Sequence, residues 1–369
     1  MITRLYVNNY RCLVAFDMKF DSLEVLCGAN GTGKSSVFDA IKFICDLAGG
    51  RCFLGGQTGD LNNRVVTKLE FNHWLNNTTQ EFELEIKVDD YAFKYIIHIE
   101  QTPPHEPRII KETAFCNSKE LYNRDRDGVH FDSGRSGFPL DWRQAALASI
   151  QPVPERKEIE ILQKALSSLL IVRPNVRSME FESKTESSFP NFDFSNLTSW
   201  YRHLAQDQEF TDLLRGSLQS VWPDMKFLKL ADAGMSFKVL ELHFAGEVIP
   251  FSCLSDGEKM LVSLYMIHAA LAKGNTSSVF IDEPDNFVSL QELQPWLLSM
   301  SEIMDKHRQA ILISHNAEIL DSNPSRSVVF GRDNHKSPTR IWPLDMPGGM
   351  SVRDALVRGW VYPTGEAGE

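Results

Sequence analysis

Alternating and apolar runs at the two ends of the chain predict two sets of β-strands. Ile2 to Val7 and Val14 to Phe20 alternate apolar and polar side chains, and Leu23 to Cys27 is a short apolar run typical of a buried strand. Glu81 to Val88 gives the clearest period-two alternation, and Asp89-Asp90 supplies a hairpin turn after it. Further strands are predicted at 65–71, 93–100, 108–115, 237–244, 278–281 and 310–314.

Helical spacing dominates the middle of the chain. From Arg143 to about Trp222 the pattern is helical, most clearly between Ile159 and Leu170, with a polar loop at 178–199. Other helices are predicted at 36–48, 256–273, 290–305 and 351–360. We therefore divide the chain into 1–140, a helical insertion or lid at 141–235, 236–345 and a C-terminal tail at 346–369. Ranges 1–140 and 236–345 together predict an α/β protein, in which a parallel β/α core carries an antiparallel sheet.

A glycine-rich loop lies between the buried strand at 23–27 and a predicted helix. Residues 28–35 read Gly-Ala-Asn-Gly-Thr-Gly-Lys-Ser, which fits the phosphate-loop pattern G-x-x-x-x-G-K-[ST]. In this pattern the lysine reaches the β- and γ-phosphates of a nucleotide, and the serine hydroxyl binds Mg²⁺. The helix N-terminus attracts the same anion. The loop residues expected to bind ATP are Asn30, Gly31, Thr32, Gly33, Lys34, Ser35 and Ser36, with Ser35 also on the metal.

Two later apolar runs end in polar side chains: the first in a pair of carboxylates and the second in a histidine. Val279 to Ile281 leads into Asp282 and Glu283, and Ile311 to Ser314 leads into His315. Ligands bind at the carboxyl ends of strands in a doubly wound fold, so we expect Asp282 to hold Mg²⁺ and Glu283 to act as the general base. The expected strand order would bring His315 beside the γ-phosphate. A surface acidic pair and a structural histidine are the alternatives.

The segment Leu254-Ser255-Asp256-Gly257-Glu258 begins a predicted helix. Ser255 is a good N-cap and Glu258 completes a capping box, while Gly257 permits close approach of another backbone. A helix N-terminus of this kind suits the γ-phosphate of a nucleotide held by another subunit. A helix that is merely capped is the alternative.

These motifs together resemble the ATP-binding cassette superfamily, and within it the RecF, SMC and OLD-type repair and defence ATPases. The opening at 5–13 is also similar to the family's strand and its N-F/Y-R start. The resemblance covers roughly 1–140 and 237–344. It implies a stand-alone bacterial ATPase that forms homodimers or higher oligomers through its ATP sites, with Ser255, Gly257 and Glu258 acting in trans.

The resemblance also implies two further site residues and leaves one contact loosely defined. Arg11 would lie near the nucleotide phosphates or sugar, with an exposed strand-end arginine as the alternative. The family's Q-loop glutamine, which joins the magnesium shell, has no clear counterpart, and Gln57 is our candidate. The family also makes a contact through the D-loop, which follows the acidic pair. Position alone suggests Asp285, Asn286 and Ser289 for it.

Composition narrows the functions that remain. A net charge of −11 argues against a uniformly basic surface, although a local patch leaves nucleic-acid binding open. Six scattered cysteines without a C-x-x-C pair suggest reduced thiols in the cytoplasm, and no apolar run is long enough for a membrane span. Scattered positive charge comes from Arg124, Arg126, Arg135, Arg143, Arg173 and Arg177.

Three functions are weighed against these observations. The first is an ATP-dependent dimerising switch that uses ATP and Mg²⁺ and controls a separately encoded nuclease or toxin, in antiphage defence or DNA maintenance. The second is a DNA-binding clamp of the recombination type. The third is the nucleotide-binding subunit of a transporter, which the long stretch between Lys34 and Ser255 disfavours.

Overall fold

A parallel β-sheet forms the centre of the molecule. The computed structural model describes residues 1–55, 64–102, 104–131, 134, 136–234, 236–316, 319–320 and 327–344. Six strands form the central sheet: β3 (Leu23–Gly28), β12 (Leu170–Val172), β17 (Ser278–Asp282), β18 (Gln309–Ile313), β19 (Ser327–Gly331) and β20 (Arg340–Pro343). Their spatial order is β12-β17-β18-β3-β19-β20, and all neighbours are parallel except β19 and β20.

An antiparallel sheet of eight strands covers one side of this core. Its strands are β1 (Ile2–Asn8), β2 (Phe16–Lys19), β6 (Thr79–Val88), β7 (Tyr91–Glu100), β8 (Arg108–Cys116), β9 (Lys119–Arg124), β10 (Val129–Phe131) and β11 (Ser136–Phe138). Their order is β11-β10-β9-β8-β7-β6-β1-β2. The hairpin of β6 and β7 turns at Asp89, whose φ of 50° is typical of a tight turn.

Helix α1 (Lys34–Ala48) lies between the two sheets, with α2 (Ala146–Ser149) and α3 (Lys157–Ser167) beside it. Alternate side chains of the parallel strands enter two different cores, because successive residues of a strand point to opposite faces. Phe280 packs edge-on against Phe38 of α1, with 5.3 Å between ring centroids, in the core shared with the antiparallel sheet. Val279 and Ile281 belong to the other core.

The second core is covered by four helices and a small sheet. The helices are α4 (Leu197–Leu204), α5 (Gln208–Gln219), α6 (Asp256–Lys273) and α7 (Leu290–Ile303). The small antiparallel sheet contains β13 (Glu182–Ser183), β14 (Met225–Asp232), β15 (Lys238–Phe244) and β16 (Val248–Pro250). A further parallel pair joins β4 (Cys52–Leu54) to β5 (Arg64–Val66).

The α/β fold class predicted from the sequence is confirmed, and the middle of the chain differs from its prediction. Residues 141–235 contain helices α2 to α5, as expected, but also three strands. The helical prediction is wrong at β12, because Leu170-Ile171-Val172 is buried beside β17, where an apolar run with β-branched residues favours a strand. The strand predicted at 65–71 stops at Val66.

The chain's C-terminal prediction lies outside the described residues, since the tail at 346–369 and the helix at 351–360 both fall there. Within the described ranges, no helix combines the length and the apolar character that a membrane span requires.

Candidate functional site

The glycine-rich loop connects β3 to the N-terminus of α1. The helix begins at Lys34 after Gly33 and has no acidic residue in its first turn, so its N-terminal N–H groups keep their attraction for an anion. The Lys34 Nζ atom donates hydrogen bonds to the carbonyls of Gly28 at 2.8 Å and Ala29 at 3.0 Å. Burial lowers the pKa of Lys34, while Cys27, Asp282 and Glu283 oppose that effect.

Two residues that are distant in sequence form hydrogen bonds with carbonyl groups of the phosphate loop. Thr339 donates through Oγ1 to the Thr32 carbonyl at 2.8 Å, and Arg332 donates through Nη1 to the Gly31 carbonyl at 3.1 Å. Both come from the region of β19 and β20, which the sequence pattern did not reveal. The loop is thus held by an antiparallel strand pair at the edge of the sheet.

The acidic pair lies at the carboxyl end of β17. Asp282 is only 2 % exposed, and burial raises its pKa, against the effect of Arg173 and the Ser35 hydroxyl. Glu283 has a φ of 57°, and its N–H donates to the Ile313 carbonyl at 2.9 Å, which ties the turn to β18. Asn286 donates to the Glu283 carboxylate at 2.7 Å.

The phosphate loop, the acidic pair and His315 face one cleft. The residues that line it are Cys12, Asn30, Gly31, Gly33, Lys34, Ser35, Ser36, Asp282, Glu283, Ile313 and His315. The strand order explains this, because β17 and β18 lie directly beside β3 and all three point the same way. Burial and the nearby Lys34 lower the pKa of His315, while the neighbouring carboxylates oppose them, so the shift favours the neutral imidazole.

Arg173 is a residue of this site that sequence reasoning did not identify. It follows β12 directly, and its guanidinium binds Asp282 Oδ2 through Nη2 and through Nε, the latter at 2.8 Å. A signal for it exists in the sequence, since Arg173 follows the apolar run at 169–172 as Asp282 follows the run at 279–281.

The predicted helix start at 254–258 is observed as a capped helix. Ser255 is the N-cap of α6 and its hydroxyl donates to the Glu258 carboxylate at 2.7 Å, so the predicted capping box is confirmed. Gly257 is in close contact with the chain after the acidic pair, because a Cβ there would lie 2.9 Å from the Phe287 carbonyl oxygen. Ser255 is exposed and stands outside the set of described residues that line the cleft.

Two further site residues were predicted, Arg11 and Gln57. Arg11 has a φ of 50° and its guanidinium binds Asp39 and Glu70, so it lines a separate cavity beside Tyr10. Arg11 is therefore not among the described residues that line the cleft, and its predicted place near the nucleotide phosphates or sugar stays a prediction. Gln57 lies outside the described residues.

The three residues placed after the acidic pair by position have different environments. Asp285 is partly buried, and burial raises its pKa. Asn286 contacts Glu283, as described above. Ser289 is the N-cap of α7 and forms a capping box with Glu292, so its side chain serves that helix.

Comparison with known proteins assigns the chain to a family. A family model described as "AAA domain, putative AbiEii toxin, Type IV TA system" matches residues 24–321, and the chain belongs to that family. No curated protein sequence matches the chain.

Solved structures with the same fold are heads of SMC proteins. An SMC head bound to the C-terminal winged-helix domain of ScpA shares 15 % identity and a TM-score of 0.58, covering 93 % of this chain and 98 % of that one. The SMC head of Thermotoga maritima shares 14 % identity at a TM-score of 0.51, covering 94 % and 99 %. A Pyrococcus furiosus SMC head with bound ScpA C-terminal domain shares 14 % identity at 0.50, covering 97 % and 98 %. The family match confirms the predicted AAA-type class, and the likeness to SMC heads confirms the predicted fold.

Proposed function

We propose that this protein hydrolyses ATP and works as an ATP-dependent dimerising switch. One observation carries the proposal: the cleft combines the phosphate loop, Asp282, Glu283 and His315, while the exposed cap of α6 at Ser255 stands apart from it. A second copy of the chain can supply that cap to the open side of the cleft. Two such half-sites would close around two nucleotides.

The residues in the cleft fit ATP and Mg²⁺. The N-terminus of α1 and the Lys34 ammonium suit phosphate oxygens. Asp282 Oδ1 is buried and has no hydrogen-bond partner among the described residues, so it can accept a water of a hydrated metal, with Ser35 close by. A bound Mg²⁺ would neutralise charge on the β- and γ-phosphates.

Each residue of the composite site has its own role in this proposal. Glu283 accepts the proton of the attacking water, and Asn286 fixes its carboxylate through the 2.7 Å hydrogen bond. His315 in its neutral form can donate one hydrogen bond to the γ-phosphate without adding charge. Ser255 and Gly257 of a second copy present the α6 N-terminus to that phosphate, beside Glu258.

A switch of this kind needs a partner to act upon. We propose a separately encoded effector, a nuclease or toxin, in antiphage defence or DNA maintenance. The description of the family names a toxin system, and two of the SMC heads of similar fold are bound to ScpA.

Glu283→Gln tests the proposal. Glutamine keeps the shape and the hydrogen bonding of the carboxylate but takes up no proton, so ATP should bind and stay intact. We expect the variant to accumulate with ATP and Mg²⁺ as a species of twice the 41.9 kDa monomer mass in size-exclusion chromatography with light scattering.

Glu302→Gln is the matched control, since Glu302 is an exposed carboxylate on α7. It should hydrolyse ATP like the wild type and show no stable dimer. A Glu283→Gln protein that binds ATP and remains monomeric at micromolar concentration would contradict the dimerising switch, and undiminished hydrolysis by it would contradict the assigned base.

A further inference from the structure

An arginine occupies the carboxylate to which we assign the metal. Val172 pairs with Ile281 in parallel register, so the residues that follow them, Arg173 and Asp282, lie side by side at the same edge of the sheet. The Arg173 guanidinium contacts Asp282 Oδ2 through two nitrogens. Both hydrogen bonds go to the same carboxylate oxygen, and charge-assisted hydrogen bonds of this kind are stronger than neutral ones.

The two partners of this ion pair differ in their freedom to move. The Asp282 side chain is 2 % exposed, whereas the Arg173 side chain is 44 % exposed and can swing into solvent without opening the core. The backbone of Arg173 is fixed, because its N–H donates to the Phe192 carbonyl at 2.7 Å. A rearrangement here therefore needs a change of side-chain rotamer only.

The negative charge of the buried Asp282 determines when Arg173 can move away from it. A buried carboxylate that loses its cation without replacement costs several kcal/mol in general, so Arg173 leaves readily only when another cation arrives. Arg173 binds Oδ2 and the water of the hydrated metal is assigned to Oδ1, so the guanidinium and a bound Mg²⁺ would lie close together on one carboxylate and repel each other. Arg173 and the metal are consequently competitors for Asp282.

We propose that Arg173 is a positioning residue that exchanges with Mg²⁺ at Asp282 and thereby sets the metal concentration at which the site loads. The proposal rests on the function proposed above, since it concerns the same cleft. Arg173 holds the charge of Asp282 before loading, and the arriving metal displaces the guanidinium. Removal of Arg173 should therefore make metal loading easier.

The test is a metal titration of nucleotide binding. A fluorescent non-hydrolysable ATP analogue is held at fixed concentration with the full-length chain, and its binding is followed while Mg²⁺ or Mn²⁺ is added. For Arg173→Gln we expect half-maximal loading at about 2- to 5-fold lower metal concentration than for the wild type, the range expected for loss of one partly exposed ion pair. Free Mn²⁺, counted by electron paramagnetic resonance, gives the same shift independently of fluorescence.

Arg177→Gln is the matched control, because Arg177 is exposed in the same segment and forms no ion pair within the described ranges. It should leave the titration unchanged. Arg173→Lys keeps the charge but loses the two-point contact, so its shift should have the same sign and a smaller size. If Arg173→Gln does not fold, the sign for Arg173→Lys decides.

The metal titration distinguishes failure of the exchange at Asp282 from failure of the proposed ATP-dependent function. Unchanged or higher metal demand in the Arg173 variants, with the wild type binding the analogue, overturns the exchange and indicates that Arg173 merely orients Asp282. A wild type that binds no analogue at any metal concentration instead contradicts the proposed function itself.

Discussion

Several charged side chains near the central sheet are buried, and each must have its charge compensated or removed. Lys34 uses loop carbonyls, and Asp282 uses Arg173. Glu24, on β3 before the phosphate loop, is 7 % exposed, and its Oε2 has no hydrogen-bond partner in the described part of the chain. Burial, assisted by Asp21, raises the pKa of Glu24 from 4.5 to about 7. The neutral acid is therefore the form that the fold accommodates.

The raised pKa of Glu24 predicts a loss of stability with increasing pH. Below pH 4.5 the group is protonated in the folded and the unfolded chain, and between pH 4.5 and about 7 only the unfolded chain ionises, so unfolding becomes easier. Glu24→Gln removes this effect. The free energy of unfolding of the variant, relative to wild type, should rise by about 2 to 3 kcal/mol between pH 5 and pH 8 in urea titrations.

Glu120→Gln is the control for this titration, because Glu120 is exposed on β9. Its difference from wild type should not vary with pH. A pH-independent difference for Glu24→Gln as well would show that Glu24 is ionised in the folded chain at no cost.

Among the elements, the contact between β3 and β19 decides where the phosphate loop begins. Gly28 ends β3 and pairs with Phe330 of β19, with a φ of 135°. A Cβ at Gly28 would overlap the Phe330 carbonyl oxygen, which belongs to the backbone and cannot turn aside. Glycine is thus required by two strands that are almost the whole chain apart in sequence.

Gly28→Ala should destabilise the protein by about 3 kcal/mol or more, because strain at positive φ adds to overlap with a backbone atom. Gly31→Ala is the matched control, since Gly31 has a φ of 78° but no atom within 4 Å of an added Cβ. It should cost only about 1 to 2 kcal/mol of left-handed strain. Urea unfolding without nucleotide compares them, and equal losses would show that the overlap relaxes freely.

At the scale of the whole molecule, each proposed ATP site is formed by residues from two copies of the chain. In one copy the cleft holds Lys34 and the acidic pair, whereas Ser255 is exposed at the start of α6. Each copy would contribute both kinds of surface. A two-fold arrangement then gives two composite sites, and damage to different surfaces in two chains can leave one site intact.

A mixture of two inactive variants should therefore recover activity. Lys34→Ala removes the phosphate-binding cation, and Ser255→Arg blocks the contact in trans, so each should be inactive alone. A heterodimer keeps one intact composite site and should reach up to about half of normal ATPase activity if the sites work independently. The measurement is phosphate release from mixed and separate proteins.

The control for this mixture is proof that heterodimers form, by differential tagging and pull-down with ATP. No recovery in proven heterodimers would contradict independent composite sites. Strong activity of Ser255→Arg alone would show that Ser255 serves only as a helix cap.

Local sequence patterns were sufficient to predict those strands and helix ends whose pattern lies in residues that are neighbours in sequence. The alternation at 81–88 predicted β6, and the S-x-x-E spacing predicted the capping box that begins α6. Strands β12 and β14 were missed because short apolar runs beside helical stretches do not reveal their period. The ion pairs of Arg11 with Asp39 and Glu70 were not predicted, because neither partner is a neighbour of Arg11 in the sequence.

The sequence by itself determined the chemistry of the site: the loop at 28–35, the two carboxylates at 282 and 283 and His315 are recognisable because each follows its own strand. Only the tertiary structure decided which distant residues complete it. Strand pairing places Arg173 against Asp282, and the edge pair of β19 and β20 brings Arg332 and Thr339 onto the loop. The physical reason is that side-chain chemistry and strand spacing are local properties, whereas the order of strands in a sheet depends on the packing of the whole chain.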